Sequence, residues 1–136
     1  MKYICLGYMD EKVWEKMSES EQQIFVDSCF SYDEELKRNG HYTGGEALQG
    51  AKNAAMLRME NGRVSVTDGP FAETKEQIGG IMILEANDLN HAIRLMSNHP
   101  SLHLGKGGGS WEIRPAADLT AMIEESERRR RSDALM

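Results

Sequence analysis

The sequence predicts an α+β fold: an antiparallel sheet carrying its helices on one face. Three observations lead there. Strand-like patterns stand near both ends of the chain, at residues 2–8 and 111–114. Two alternating runs flank Asn61-Gly62, the strongest short-range signal for a two-residue hairpin, because both residues tolerate positive φ. Two helix-spaced apolar stripes, one led by Phe25 and one by Leu89, each fall between strand patterns. The order is βαβ, hairpin, βαβ, a ferredoxin-like plan with an added β-hairpin.

Taken in order, residues 2–8 form the first strand, with Ile4, Leu6 and Tyr8 on one face and Tyr3 and Cys5 on the other. Asp10 caps a short helical turn carrying Val13, Trp14 and Met17. Ser18-Glu19-Ser20-Glu21 is a capping box, in which the Ser oxygen takes an N–H three residues on and Glu21 reaches back. The helix it opens runs to about Asn39, with Phe25, Cys29, Tyr32 and Leu36 as its core stripe and Gly40 as its stop. Residues 41–48 read as a short, twisted second strand. Gly44-Gly45 weakens it and marks a bulge or a close backbone approach. Residues 49–53 link to the hairpin.

Counting outward from Asn61-Gly62 pairs Glu60 with Arg63, Met59 with Val64, Leu57 with Val66 and Ala55 with Asp68. Ile81-Met82-Ile83-Leu84 is apolar on both faces and predicts a central, covered strand. Asn87 or Asp88 caps a second helix through Leu89, Ala92, Ile93 and Met96, and Asn98-His99-Pro100 stops it. Residues 111–114 are the last strand, closed by Pro115. The tail, residues 116–136, lies beyond this plan as a helical extension. Its acids, Glu124, Glu125 and Glu127, precede four arginines, Arg128 to Arg131, an order that suits the helix dipole in a solvated helix end.

Composition narrows the function. The 136 residues suit one domain, and a formal net charge of −6 is the wrong balance for a phosphate-binding surface, so nucleic acid is disfavoured. No apolar run approaches the roughly 20 residues that span a bilayer. The start turns acidic too soon for a signal peptide, which points to the cytoplasm. Cys5 and Cys29 sit in no CxxC pair and have no His at ligand spacing, so both read as reduced core thiols and no metal site is supported. The glycine-rich residues 104–109 lack phosphate-loop spacing, and no cofactor is expected.

The chemistry-bearing stretch is residues 63–80, RVSVTDGPFAETKEQIGG. Asp68 is in phase with Val64 and Val66, so it is expected on the core face at a strand end, where a carboxylate is costly unless paired. It reads either as a proton-transfer group or as the cap of its own Asp-Gly-Pro turn. Glu46, beside Gly44-Gly45, reads as a pocket carboxylate or as a solvated acid. His41 begins the same strand and is a third catalytic candidate. Thr67, Gly69, Phe71, Lys75 and Tyr42 are candidate substrate contacts: Phe71 as an apolar cover and Lys75 as a cation for an anionic group, or for one of the acids.

Residues 67–80, TDGPFAETKEQIGG, together with MKYICLGY, GGEALQ and WEIRP, resemble the DGPF-domain branch of the YCII-related family over about residues 1–115. The resemblance implies a ferredoxin-like fold that dimerises into an α+β barrel by placing two sheets together. Its wider superfamily includes small enzymes acting on ring compounds, and also ligand-binding and regulatory modules. The YCII type is credited with a His–Asp pair whose His lies on the first helix. Here residues 18–39 contain no His and offer Asp27, Ser28 and Cys29 instead. His91 and His103 read as exposed residues, and His99 as a helix stop.

Two functions follow as expectations. One is a cofactor-free lyase or isomerase acting on a small anionic or ring substrate, with Asp68 as general acid or base. The other is a non-catalytic, dimeric ligand-binding or partner-binding module.

Overall fold

The computed structural model describes residues 1–69, 76–104 and 108–135. The chain runs β1 (Lys2–Met9), α1 (Glu11–Glu15), α2 (Glu19–Arg38), β2 (Tyr42–Ala47), β3 (Ala55–Glu60), β4 (Arg63–Asp68), β5 (Gln77–Glu85), α3 (Leu89–Ser97), β6 (Ser110–Pro115) and α4 (Thr120–Leu135). Short 3-10 turns at Ala51–Asn53 and Pro100–His103 join them. The four-stranded sheet has the order β2-β5-β1-β6, with every neighbouring pair antiparallel. That is the expected α+β plan with β5 in a central place.

Local chemistry sets the ends. Ser18 Oγ accepts from the Glu21 N–H at 3.1 Å while Glu21 accepts from the Ser18 N–H at 3.1 Å, completing the capping box. Asp10 caps α1 and Asp88 caps α3. Gly40, at φ 78°, closes α2 in the left-handed region that glycine enters without strain.

Alternation decides the core. Tyr3 and Cys5 of β1 pair with Leu84 and Met82 of β5, and all four are buried on the helix-covered face against Leu36, Ala92 and Met96. Ile4, Leu6, Ile81 and Ile83 fall on the other face, where none is fully buried. The α4 helix is exposed over residues 120–134 apart from the partly covered Ser126 and Glu127, and Glu125–Arg129 and Glu127–Arg131 stand one turn apart at 3.5 and 3.3 Å. Such surface pairs contribute about 0.5 kcal/mol or less. Among the described residues, no helix is long and apolar enough to cross a membrane.

The β3–β4 hairpin has the register counted from the sequence, Ala55 opposite Asp68 through Glu60 opposite Arg63, with Asn61 at φ 51° and Gly62 at φ 77°. The expectation about its face is corrected. The hairpin forms its own two-stranded sheet and does not extend the main one. Leu57, Met59, Val64 and Val66 are 62–70% exposed, and Asp68, in phase with the two valines, is exposed with them. Alternation assigned these residues to one face correctly, but it carries no information on whether that face meets a neighbour.

Candidate functional site

A cavity of about 430 Å³ opens between the sheet and α2. Missing side chains on the sheet help shape it. Gly7 of β1 pairs with Gly80 of β5, and a Cβ on Gly7 would sit 2.8 Å from the Trp111 ring. A Cβ on Gly45 of β2 would meet the Tyr42 hydroxyl at 2.5 Å and the Ile81 carbonyl oxygen at 2.7 Å. The β1–β5 register slips between Gly7 and Tyr8, and the β2–β5 register between Tyr42 and Gly44, so the expected irregularity beside Gly44-Gly45 is present. Phe25, Phe30, Met82, Leu104 and Trp111 give the cavity mostly apolar walls.

One polar row reaches this cavity. Asp33 lies one turn after Cys29 on α2 and faces the sheet. His99 follows α3, and Pro100 starts the next turn. The Trp111 Nε1–H donates to Ser101 Oγ at 2.7 Å, and Ser101 Oγ lies 2.7 Å from His99 Nδ1. The Ser101 backbone N–H also points at Nδ1, at 3.2 Å. A backbone N–H can only donate, so Nδ1 carries the lone pair and Nε2 the proton. His99 Nε2–H then donates to Asp33 Oδ1 at 3.1 Å. Edge-on contacts with Tyr32 and Trp111, at 5.7 and 5.2 Å between ring centres, fix the imidazole plane. His99 is 4% exposed, whereas the Asp33 side chain is 24% exposed and is the carboxylate end of the row.

Two neighbours stay protonated beside it. Burial, with the Asp33 and Glu46 carboxylates nearby, raises the Tyr42 hydroxyl above the ordinary tyrosine value. Burial, aided by the Asp33 charge, pushes the Cys29 thiol up to about 11, and burial alone takes Cys5 to about 11. Both cysteines are free, as expected. At pH 8 roughly one thiol in a thousand is then ionised in the folded chain. Alkylation by iodoacetamide is therefore expected to be slow at pH 8 and to accelerate about tenfold per pH unit above it. Fast labelling of native protein at pH 8 would contradict the burial. The same shifts have a thermodynamic sign: the unfolded chain gives up these protons first, near pH 9, so stability falls as pH rises from about 9 to about 11.

The sequence candidates divide. Tyr42 and Glu46 border the cavity, with Glu46 at the exposed rim, where its pairing with Ile81 puts it on the sheet's other face. Asp68, Thr67 and Gly69 belong to the hairpin end and do not line the cavity. His41 is away from it as well: its Nδ1 is 3.0 Å from the Glu85 carbonyl oxygen and its ring stands edge-on to His91 at 5.0 Å. Phe71 and Lys75 lie outside the described residues. Asp33 and His99 were not foreseen. The signal for Asp33 was an acid in step with Cys29 on the apolar face of α2. His99 was read only as a helix stop, and its second role depends on a residue 66 positions away.

Fold and cavity together define an α+β protein with a helix-side pocket and one inward carboxylate. A family model described as the YCII-related domain matches residues 1–120, and the chain belongs to that family. It is also similar to "Uncharacterized protein R00369" of Rhizobium meliloti (strain 1021), at 34% identity over 121 residues covering 86% of this chain and 93% of that protein. The resemblance implied a His–Asp pair with its His on the first long helix; in this chain that helix supplies the Asp, and the turn after α3 supplies the His.

Proposed function

We propose that the chain binds a small, largely apolar ring compound in the cavity beneath α2 and that Asp33 exchanges a proton with it, in a lyase- or isomerase-type reaction needing no cofactor. One observation carries this reading: the hydrogen-bonded row Trp111–Ser101–His99–Asp33 runs out of the core and terminates on a carboxylate at the cavity wall. With Oδ1 held by an imidazole N–H, the carboxylate is oriented and Oδ2 is left to take or return a proton. His99 acts through Asp33 and is a positioning residue, because both of its nitrogens are committed inside the protein.

The test is a turnover screen of small ring compounds against wild type, Asp33→Asn and Asp68→Asn. Asp33→Asn is expected to lower the rate at least about a hundredfold, with Asp68→Asn within about twofold of wild type. Rates that follow Asp68 instead would overturn the assignment.

A second reading, a non-catalytic binding module, is favoured by one observation: the Cys29 thiol is held protonated and His99 is buried, so proton transfer rests on Asp33 alone. A compound that binds at the cavity and is recovered unchanged after long incubation would select it.

Two chains are further proposed to pair through the sheet face bearing Ile4, Leu6, Ile81 and Ile83, which the described helices leave partly open. Sedimentation at the mass of a single chain across the micromolar range would remove that proposal. Residues 1–115 are proposed as the folding domain, with residues 116–136 as its extension. A cytoplasmic protein without membrane partners is proposed as well, and the −6 charge argues against nucleic-acid partners.

A further inference from the structure

We infer that the ligand taken by this cavity is a ring-bearing organic cation, an amine in its protonated form, and not an anion. This deepens the proposed function and rests on the cavity being a binding site, not on any turnover there.

The inference follows from a charge count. The Ser101 N–H fixes His99 as the neutral tautomer, so the imidazole lends Asp33 a hydrogen bond but no positive charge. The pair therefore presents a net negative charge to the cavity. Glu46 borders the rim from the sheet's other face and, like Arg114 there, is left out of the count. Among the described residues lining the cavity there is no Lys or Arg to balance the Asp33 charge. The nearby ammonium of Lys37 is 4.8 Å from the centre of the Tyr42 ring and does not line the cavity. Arg114 is tied to Glu112 Oε2 at 2.6 Å, on the sheet's other face.

The remaining polar contacts agree. The Tyr42 hydroxyl and the Cys29 thiol keep their protons and add no charge. Phe25, Phe30 and Trp111 present ring surfaces, whose negative faces attract cations and whose apolar area takes a ring. An anion entering here would shed water beside a carboxylate with no cation among the described lining residues to receive it. An ammonium would instead reach Asp33 Oδ2, which accepts no hydrogen bond among the described residues.

Three probes of like shape and different charge test this: phenethylammonium, phenethyl alcohol and hydrocinnamate. Each is titrated into wild type and Asp33→Asn, and the indole N–H resonance of Trp111 is followed by NMR against that of Trp14. In wild type the ammonium is expected to bind at least about tenfold tighter than the alcohol, with hydrocinnamate weakest. In Asp33→Asn the ammonium and the alcohol are expected to bind alike. The amide oxygen of that variant can still accept from His99 Nε2–H, so the fold is expected to hold. The wild-type order alone decides the sign should the variant not fold. Tightest binding by hydrocinnamate, or an ammonium preference that survives in a folded Asp33→Asn, would overturn the inference. Equal binding of alcohol and ammonium in wild type would overturn it while leaving the cavity reading standing. Failure of all three probes to move the Trp111 resonance would overturn both.

Discussion

His99→Ala is expected to lower folding stability by about 3 kcal/mol, measured by urea denaturation at neutral pH. Two effects add. The substitution removes a ring buried to 4% exposure between Tyr32 and Trp111, leaving a void that those rings can only partly fill. It also strips partners from both sides: Asp33 Oδ1 loses its donor, and the Ser101 N–H loses its acceptor. Unmatched polar groups in a poorly solvated site are costly, and the carboxylate more so than the amide. A loss below about 1 kcal/mol would mean that water replaces the imidazole readily, and the row could not then orient Asp33. Ligand binding at the Trp111 side of the cavity is expected to weaken in the same variant.

Leu84→Ala is the second large effect, about 3 kcal/mol and roughly 10 °C in unfolding midpoint for a domain of this size. Leu84 is fully buried in central β5, paired with Tyr3 on one side and Tyr42 on the other. Truncation leaves a cavity between the sheet and the helices packed on it, where the backbone ladders of β5 resist collapse. Leu84→Met, which roughly conserves volume, is expected to cost less than about 1.5 kcal/mol. Leu84 does not line the ligand cavity, so the alanine variant is expected to retain binding below its melting temperature. Coupled losses of stability and binding in Leu84→Ala would show that cavity and core are one unit.

Much of the fold was legible in the sequence because its signals are local. The Ser18–Glu21 box acts over three residues, and Asn61-Gly62 alone fixed the hairpin register. The alternation in β1 put Tyr3 and Cys5 on one face, which the structure shows to be the face that the helices bury. The site was less legible because its parts are remote. Asp33 and His99 meet only after α2 and α3 have both packed on the sheet, and their pairing leaves no periodic trace. Asp68 drew attention through a local pattern that is real, but its hairpin stands apart from the main sheet. Tyr42 and Glu46 reached the cavity rim because they sit on a strand within that sheet.

The glycines beneath the cavity have a consequence for diversity on this scaffold. Hydrogens stand there where other strands carry methyls and rings, and one added carbon would press on the Trp111 ring from residue 7 or on the Tyr42 hydroxyl and Ile81 carbonyl from residue 45. Ligand size is thus tied to the pleated ladder itself, and a methyl at residue 7 would displace the indole from which the proton-handling row starts.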